Sequence, residues 1–361
     1  MTTASAPRDA HRALLADFDA RRPAALARAV SIVENHRSGF EDLLGALHTR
    51  LGRARRIGIT GPPGAGKSTI TTRLAALYRT AGLSAGIIAV DPTSPFTGGA
   101  LLGDRIRMEA VALDDGIFIR SMATRGSLGG LAAGTREVAD VLDGYGFDRI
   151  LIETVGVGQS ELDIARTADT TAVVLVPESG DSVQAMKAGL MEIADVFVVN
   201  KADRPDAERL RHEIEMTLGL RLGGASTMRN VPAHHGVDLK KLRNPAHAAR
   251  QAAHDDAGDG WTPPVLATIA DRGEGIDALA AALDRHFEYL SRSGTLEIRR
   301  RERLRERVVE AVERRLRQRL WGDPAITAWV DEQLPALEAG TTTPFVVADT
   351  LLARNASRLT Q

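Results

Sequence analysis

The chain has 361 residues, 43% of them hydrophobic and 26% charged, with a formal net charge of −1. This is the composition of an ordinary globular protein, long enough for one large domain with appendages, and its neutral balance supplies no field favouring nucleic acid or an anionic membrane. It contains no cysteine, which rules out disulfides, thiol catalysis and cysteine-ligated metal.

The opening MTTASAPRDAHRALLADFDARR lacks the apolar core of a signal peptide, and no segment approaches the roughly 18 continuous apolar residues of a membrane span. A cytoplasmic protein without membrane attachment is expected. Residues 9–50 read as two amphipathic helices. Leu14, Leu15 and Phe18, then Leu26, Ala29, Val30, Ile32 and Val33, and later Phe40, Leu43, Leu44 and Leu47 recur at helical spacing. They predict an N-terminal helical arm, 1–50, packed on the following domain or on a partner.

From 51 to 290 apolar runs alternate with helical patterns, which argues for an α/β domain with a mostly parallel sheet covered on both faces. Strands are predicted at 56–60, 86–90, 117–121, 148–153, 171–176, 195–199 and 264–269. Helical patterns lie near 67–81, 103–113, 129–143, 160–168, 182–192, 206–218 and 276–290. Residues 219–262, which hold Gly223-Gly224, Pro232, His234-His235 and Pro245, break the rhythm and read as an insertion with a short helix at 238–254. The remainder, 291–361, is helical. Between 299 and 319 there are ten Arg against four Glu, while Leu304, Val308, Val312, Leu316 and Leu320 form one apolar stripe. No aromatic residues are interleaved for base stacking, so this helix is expected to bury its stripe against another subunit rather than bind nucleic acid. Trp321, Trp329, Phe345, Val346, Val347, Leu351 and Leu352 extend that apolar surface.

The chemistry is carried first by IGITGPPGAGKSTIT, 57–71, where Gly61, Gly66, Lys67 and Ser68 satisfy G-x-x-x-x-G-K-[ST] between a strand and a helix. In the cradle Gly61-Pro62-Pro63-Gly64-Ala65-Gly66-Lys67-Ser68-Thr69, the three glycines let successive backbone N–H groups converge at the positive end of a helix. Lys67 adds a point charge for the β- and γ-phosphates, and the Ser68 hydroxyl is a Mg²⁺ ligand candidate. Asn200-Lys201-Ala202-Asp203 follows the strand DVFVV. A carboxylate there accepts from guanine N1–H and N2–H₂, a donor pair adenine lacks, so N-K-x-D at this place argues for GTP over ATP.

Glu153 ends the strand DRILIE as a Walker-B type acid that orients Mg²⁺ or its waters. Gly156 supplies an N–H for a γ-phosphate. Gln159 has two readings, a water-positioning amide or a merely polar side chain. Asp91 and Asp104 flank PTSPFTGGALLG, a composition suited to a switch. Both are candidate carboxylates near Mg²⁺, although Asp104 equally suits a helix N-terminus. The stretch ESGDSVQAMKAG, 178–189, holds Asp181, Gln184 and Lys187 on one side of an incipient helix; it is either a further nucleotide-responsive loop or an exposed helix start.

Together, GPPGAGKST, VDPTSP with GDRIRM, RSMATRGSLGGLA, ETVGVGQSE and NKAD resemble the MeaB/ArgK family of P-loop GTPases, which includes the methylmalonic aciduria type A protein. The likeness spans about residues 24–290, with a weaker match beyond. It implies a metallochaperone-type P-loop fold, GTP/GDP as ligand, Mg²⁺, and a chaperone role toward adenosylcobalamin-dependent methylmalonyl-CoA mutase. The cobalamin would be carried by the partner, not by this chain. The resemblance also implies a homodimer through the C-terminal helices. Lys67 and Ser68 would hold phosphates and Mg²⁺, with Asp91, Asp104 and Glu153 around the metal. Asn200, Lys201 and Asp203 would read guanine, and 178–189 would be a third switch facing the mutase through Asp181, Gln184 and Lys187.

Two features depart from the pattern. The base-closing segment that often reads T-S-A is Thr268-Ile269-Ala270 here, and the 219–262 insertion looks long. They leave room for a related client, an isobutyryl- or hydroxyisobutyryl-CoA mutase. An ArgK-type kinase of a transport protein would need an acceptor and a base, and the sequence offers neither. Metal insertion for hydrogenase or urease would call for metal-binding residues, yet His234-His235 is the only adjacent His pair.

Overall fold

The computed structural model describes residues 9–91, 108, 110–123, 130–154, 160–177, 189–227 and 260–356. Seven strands, β1 (Arg55–Thr60), β2 (Ala85–Asp91), β3 (Ile117–Ala123), β4 (Arg149–Thr154), β5 (Thr170–Leu175), β6 (Val196–Asn200) and β7 (Val265–Thr268), coincide with the seven predicted runs. All pair in parallel in the order β3-β2-β4-β1-β5-β6-β7. β4, β5 and β6 are buried at every position, as strands covered on both faces must be.

The N-terminal region forms three helices rather than the expected two: α1 (Asp9–Asp19), α2 (Pro23–Glu34) and α3 (Phe40–Leu47), followed by a 3-10 turn at His48–Arg50. Pro23 opens α2 from the extended Arg22, and Gly39 at φ +82° starts α3, so the chain breaks twice where two helices would need one break. α2 and α3 pack on α5 (Gly130–Tyr145), and Phe18 meets Tyr145 edge-on at 4.9 Å. These helices share one core with α6 (Ser160–Thr167), α7 (Leu190–Ile193) and α8 (Ala207–Thr227) on one face of the sheet. α4 (Lys67–Thr80) and α9 (Ile276–Arg292) cover the other.

α8 runs to Thr227, nine residues past the predicted end at 218, so the first part of the expected insertion is helix. Its glycines at 219, 223 and 224 do not stop it. The short helix expected at 238–254 lies outside the described residues. So does most of the pattern at 103–113, of which 110–113 are turn, and of 182–192, of which 190–192 are helical.

At the amino ends of the strands a charge network ties the layers together. Arg56 Nη2 lies 2.7 Å from Asp140 Oδ1 and 3.1 Å from Asp143 Oδ2. Asp143 also accepts the N–H groups of Gly52, Arg53 and Ala54 at 2.8–3.1 Å. Burial works against the Arg56 charge, but Asp140, Asp143 and Asp169 outweigh it and raise its pKa above the usual arginine value.

Two compact units are distinguished, Met1–Glu297 and Ile298–Gln361. The second contains most of α10 (Thr295–Trp321), with α11 (Pro324–Glu338) and α12 (Pro344–Arg354). Asp323 and Thr343 cap α11 and α12 by accepting the N–H groups of Ala325 and Val346. α11 and α12 pack together, with Ile326 and Leu351 buried and the Arg354 guanidinium 5.0 Å from the Trp329 ring centre. Leu304, Val308, Val312, Leu316 and Trp321 are exposed.

Candidate functional site

The order of the sheet reverses direction around β1, and the crevice at the carboxyl ends of β4, β1 and β5 is where an open α/β sheet binds ligands. β1 delivers the glycine-rich loop there. Gly61 has φ +139°, and a Cβ on it would stand 2.0 Å from the Val174 carbonyl oxygen of β5. Gly66, at φ +88°, precedes α4, and a Cβ there would lie 2.3 Å from Asn200 Nδ2. Only glycine fits at either place. Lys67 is buried, and its Nζ donates to the carbonyls of Gly61 and Pro62, both at 2.8 Å. The ammonium is thus folded into the mouth of its own loop, where phosphate oxygens would compete with two backbone carbonyls for it.

Ser68, in the first turn of α4, donates through Oγ to Glu153 Oε1 at 2.5 Å. The pairing of β1 with β4 sets Glu153 level with Ile59. This buried carboxylate and adjacent hydroxyl are hard oxygen donors that fit Mg²⁺, which takes one or two protein oxygens and completes its octahedron with water and phosphate. Among the described residues no group of three or more His, Cys, Asp or Glu is arranged to hold a metal. Asp91 closes β2, and its side chain lies outside the described residues. Asp104, Gly156, Gln159, Asp181, Gln184 and Lys187 lie outside them entirely.

The NKAD segment sits on the other side of the loop. Asn200 ends β6 and is buried; its Nδ2 donates to the Ala65 carbonyl at 2.8 Å. Its Oδ1 accepts from Thr268 Oγ1 at 3.0 Å and from the Ala270 N–H at 3.1 Å. Asn200 therefore joins the glycine-rich loop to Thr268-Ile269-Ala270. Thr268 makes its link through a hydroxyl and Ala270 through backbone, so the T-I-A spelling preserves both. Lys201 adopts the left-handed conformation, φ +57°, a strained choice for a side-chain-bearing residue. It turns the chain so that Nζ donates to the Gly64 carbonyl at 2.9 Å. Asp203 has Arg272 Nη2 3.5 Å from its Oδ2 in a partly exposed pair.

Four other contributors carry no motif signal and emerge only from the fold. Thr60 and Thr154 join hydroxyls at 2.9 Å where β1 and β4 leave the sheet. Arg73 reaches the 270–271 turn from α4, and Arg272 reaches Asp203. Their partners lie 69 to 198 residues away in sequence, beyond what local pattern encodes.

Comparison with known proteins agrees with this geometry. The family model described as "Methylmalonyl Co-A mutase-associated GTPase MeaB" matches residues 26–325. A putative GTPase of Pyrococcus abyssi is 47% identical over 284 residues, covering 79% of this chain and 78% of its own. The mouse mitochondrial methylmalonic aciduria type A homolog is 31% identical, covering 93% of this chain and 77% of its own. A crystal structure titled LAO/AO transport system kinase superposes with a TM-score of 0.63 at 26% identity, covering 95% of this chain and 97% of that one. The strand–loop–helix cradle, the NKAD turn and these matches along the chain place it in one family: it belongs to the MeaB/ArgK-type P-loop GTPases.

Proposed function

We propose that this GTPase is a metallochaperone which gates cofactor loading into a B12-dependent acyl-CoA mutase and protects or reactivates that enzyme. Methylmalonyl-CoA mutase is the first candidate client. The observation that carries the reading is the match of residues 26–325 to a family described as mutase-associated. The cobalamin belongs to the partner, and this chain contributes the nucleotide cycle.

In that cycle Lys67 leaves the Gly61 and Pro62 carbonyls for the β- and γ-phosphates, and the N–H groups of 64–69 surround them. Ser68 and Glu153, with Asp91 and Asp104, would hold Mg²⁺, which would supply positive charge beside the phosphates. Asp203 accepts from guanine N1–H and N2–H₂, while Asn200 and Lys201 keep the base side registered on the phosphate loop. Gly156 would supply an N–H to the γ-phosphate, and Gln159 would position the attacking water. Asp181, Gln184 and Lys187 carry the nucleotide state to the mutase.

The chain works as a homodimer in the cytoplasm. The dimer reading is supported by the exposed stripe of α10, where Val308 is 64% and Val312 50% accessible. No helix among the described residues is long and apolar enough to cross a membrane.

The test is reciprocal. If the GTP state binds the mutase more tightly, the mutase must tighten GTP by the same factor. Titrating GTP against the chain with and without methylmalonyl-, isobutyryl- or hydroxyisobutyryl-CoA mutase identifies the client as the one that shifts affinity. No shift with any of them refutes the chaperone reading, and label transfer from γ-labelled GTP to a transport protein would favour a kinase.

A further inference from the structure

The turn that closes the base side of the site is weakly anchored by burial. Asp271, Arg272 and Glu274 face solvent, and within this turn only Ala270 is buried. Its own closure is a pair of backbone bonds between Ile269 and Glu274, at 3.1 and 3.2 Å. Its position relative to the phosphate loop is therefore set largely by polar contacts from outside the turn. One is Asn200, which accepts the Ala270 N–H. A second joins Arg272 to Asp203 at 3.5 Å, and the third comes from α4. Arg73 Nε donates to the Ala270 carbonyl at 3.1 Å, and its Nη2 donates to the Asp271 carbonyl at 2.6 Å.

We infer that Arg73 is a positioning residue for nucleotide retention, clamping the base-side turn onto the phosphate-side helix and slowing guanine nucleotide release. Ala270 is held through both its backbone groups, by Asn200 on one side and Arg73 on the other. Asn200 also holds the Ala65 carbonyl of the phosphate loop, and Arg73 stands on the helix that this loop opens. The contacts close a ring, Ala65–Asn200–Ala270–Arg73, in which base side and phosphate side are fixed to each other. An arginine suits the task because its rigid planar fork aims two separate nitrogens, Nε and Nη2, at two successive carbonyls, an orientation that a freely rotating ammonium does not impose.

The inference rests on the proposal that Asn200, Asp203 and 268–270 receive guanine. It predicts a kinetic signature distinct from damage to the phosphate site. In Arg73→Met, which keeps much of the aliphatic stem, dissociation of a fluorescent GDP analogue should accelerate by about three- to tenfold, the scale of one or two exposed hydrogen bonds. kcat at saturating GTP should stay within about twofold, because Lys67, Ser68 and Glu153 are untouched. Arg73→Lys, which keeps the charge but loses the planar fork, should lie between the two. An unchanged dissociation rate in Arg73→Met overturns the inference, as does a fall in kcat matching the rise in dissociation.

A parallel arm separates this from failure of the base-site reading. Asp203→Asn replaces an acceptor with an amide that can donate to the 2-oxo group of xanthine, so it should move preference from GDP toward XDP. If that preference does not move, the guanine site is misassigned and the role of Arg73 falls with it. If it moves while Arg73→Met releases GDP at the original rate, only the clamp is refuted.

Discussion

At both ends of the central sheet polar side chains are buried where strands meet helices, but they are satisfied in different ways. At the amino ends, Arg56 is enclosed by Asp140, Asp143 and Asp169, and Asp143 also takes three backbone N–H groups. Charge there is held against charge. At the carboxyl ends the pattern is looser. Lys67 donates to two loop carbonyls, Ser68 to Glu153, and Asn200 to the Ala65 carbonyl. A cation resting on carbonyl oxygens and a carboxylate resting on a hydroxyl are groups that phosphate and Mg²⁺ can recruit by exchanging one bond for a stronger one. Buried polarity stabilises at one end and waits for a ligand at the other.

Substitutions at the two ends should therefore fail differently. The largest effect is expected from Lys67→Ala, which should lower GTP hydrolysis at least about a hundredfold while leaving the melting temperature nearly unchanged. Phosphate release and a thermal melt on one sample check both halves. Arg56→Met should do the reverse. Removing the cation from buried carboxylates should cost about 3 kcal/mol of stability, read by denaturant unfolding, with hydrolysis below the transition near the parental rate.

A smaller and pH-dependent effect is expected at Asp148, also at an amino end. Burial opposes its charge, but Ser84 donates to Oδ2 through N–H at 2.8 Å and Oγ at 2.7 Å, and with Arg149 nearby the carboxyl is held below its ordinary value. A lowered folded-state pKa stabilises above the unfolded value of about 3.9 and is lost as pH falls through the folded one. Asp148→Asn should thus melt slightly below the parent at neutral pH, and the gap should close as pH falls below the unfolded value and on through the folded one. A constant gap would mean the contact is not electrostatic.

The sheet was legible in sequence because its buried strands are continuous apolar runs, and the phosphate loop and NKAD because their chemistry fixes their spacing. The three-helix N-terminus was less legible: its apolar residues keep helical spacing across the breaks at Arg22 and Gly39, and only the backbone shows them. The run of α8 through Gly219 and Gly223-Gly224 defeats local propensity in the same way. The least legible features join distant residues. Nothing near Arg56 announces Asp140, 84 positions on, and nothing near Arg73 announces Ala270, 197 positions on. Such pairs exist only once the parallel crossovers bring the strand ends together.

The central claim is that the loose end is a guanine nucleotide site. Titration of the parent chain with GDP and ADP in the presence of Mg²⁺ tests it most directly. The site described here should bind GDP at least about a hundredfold more tightly than ADP, because Asp203 has donors to accept from only in guanine. Equal affinity for the two, or tighter binding of ADP, would contradict it.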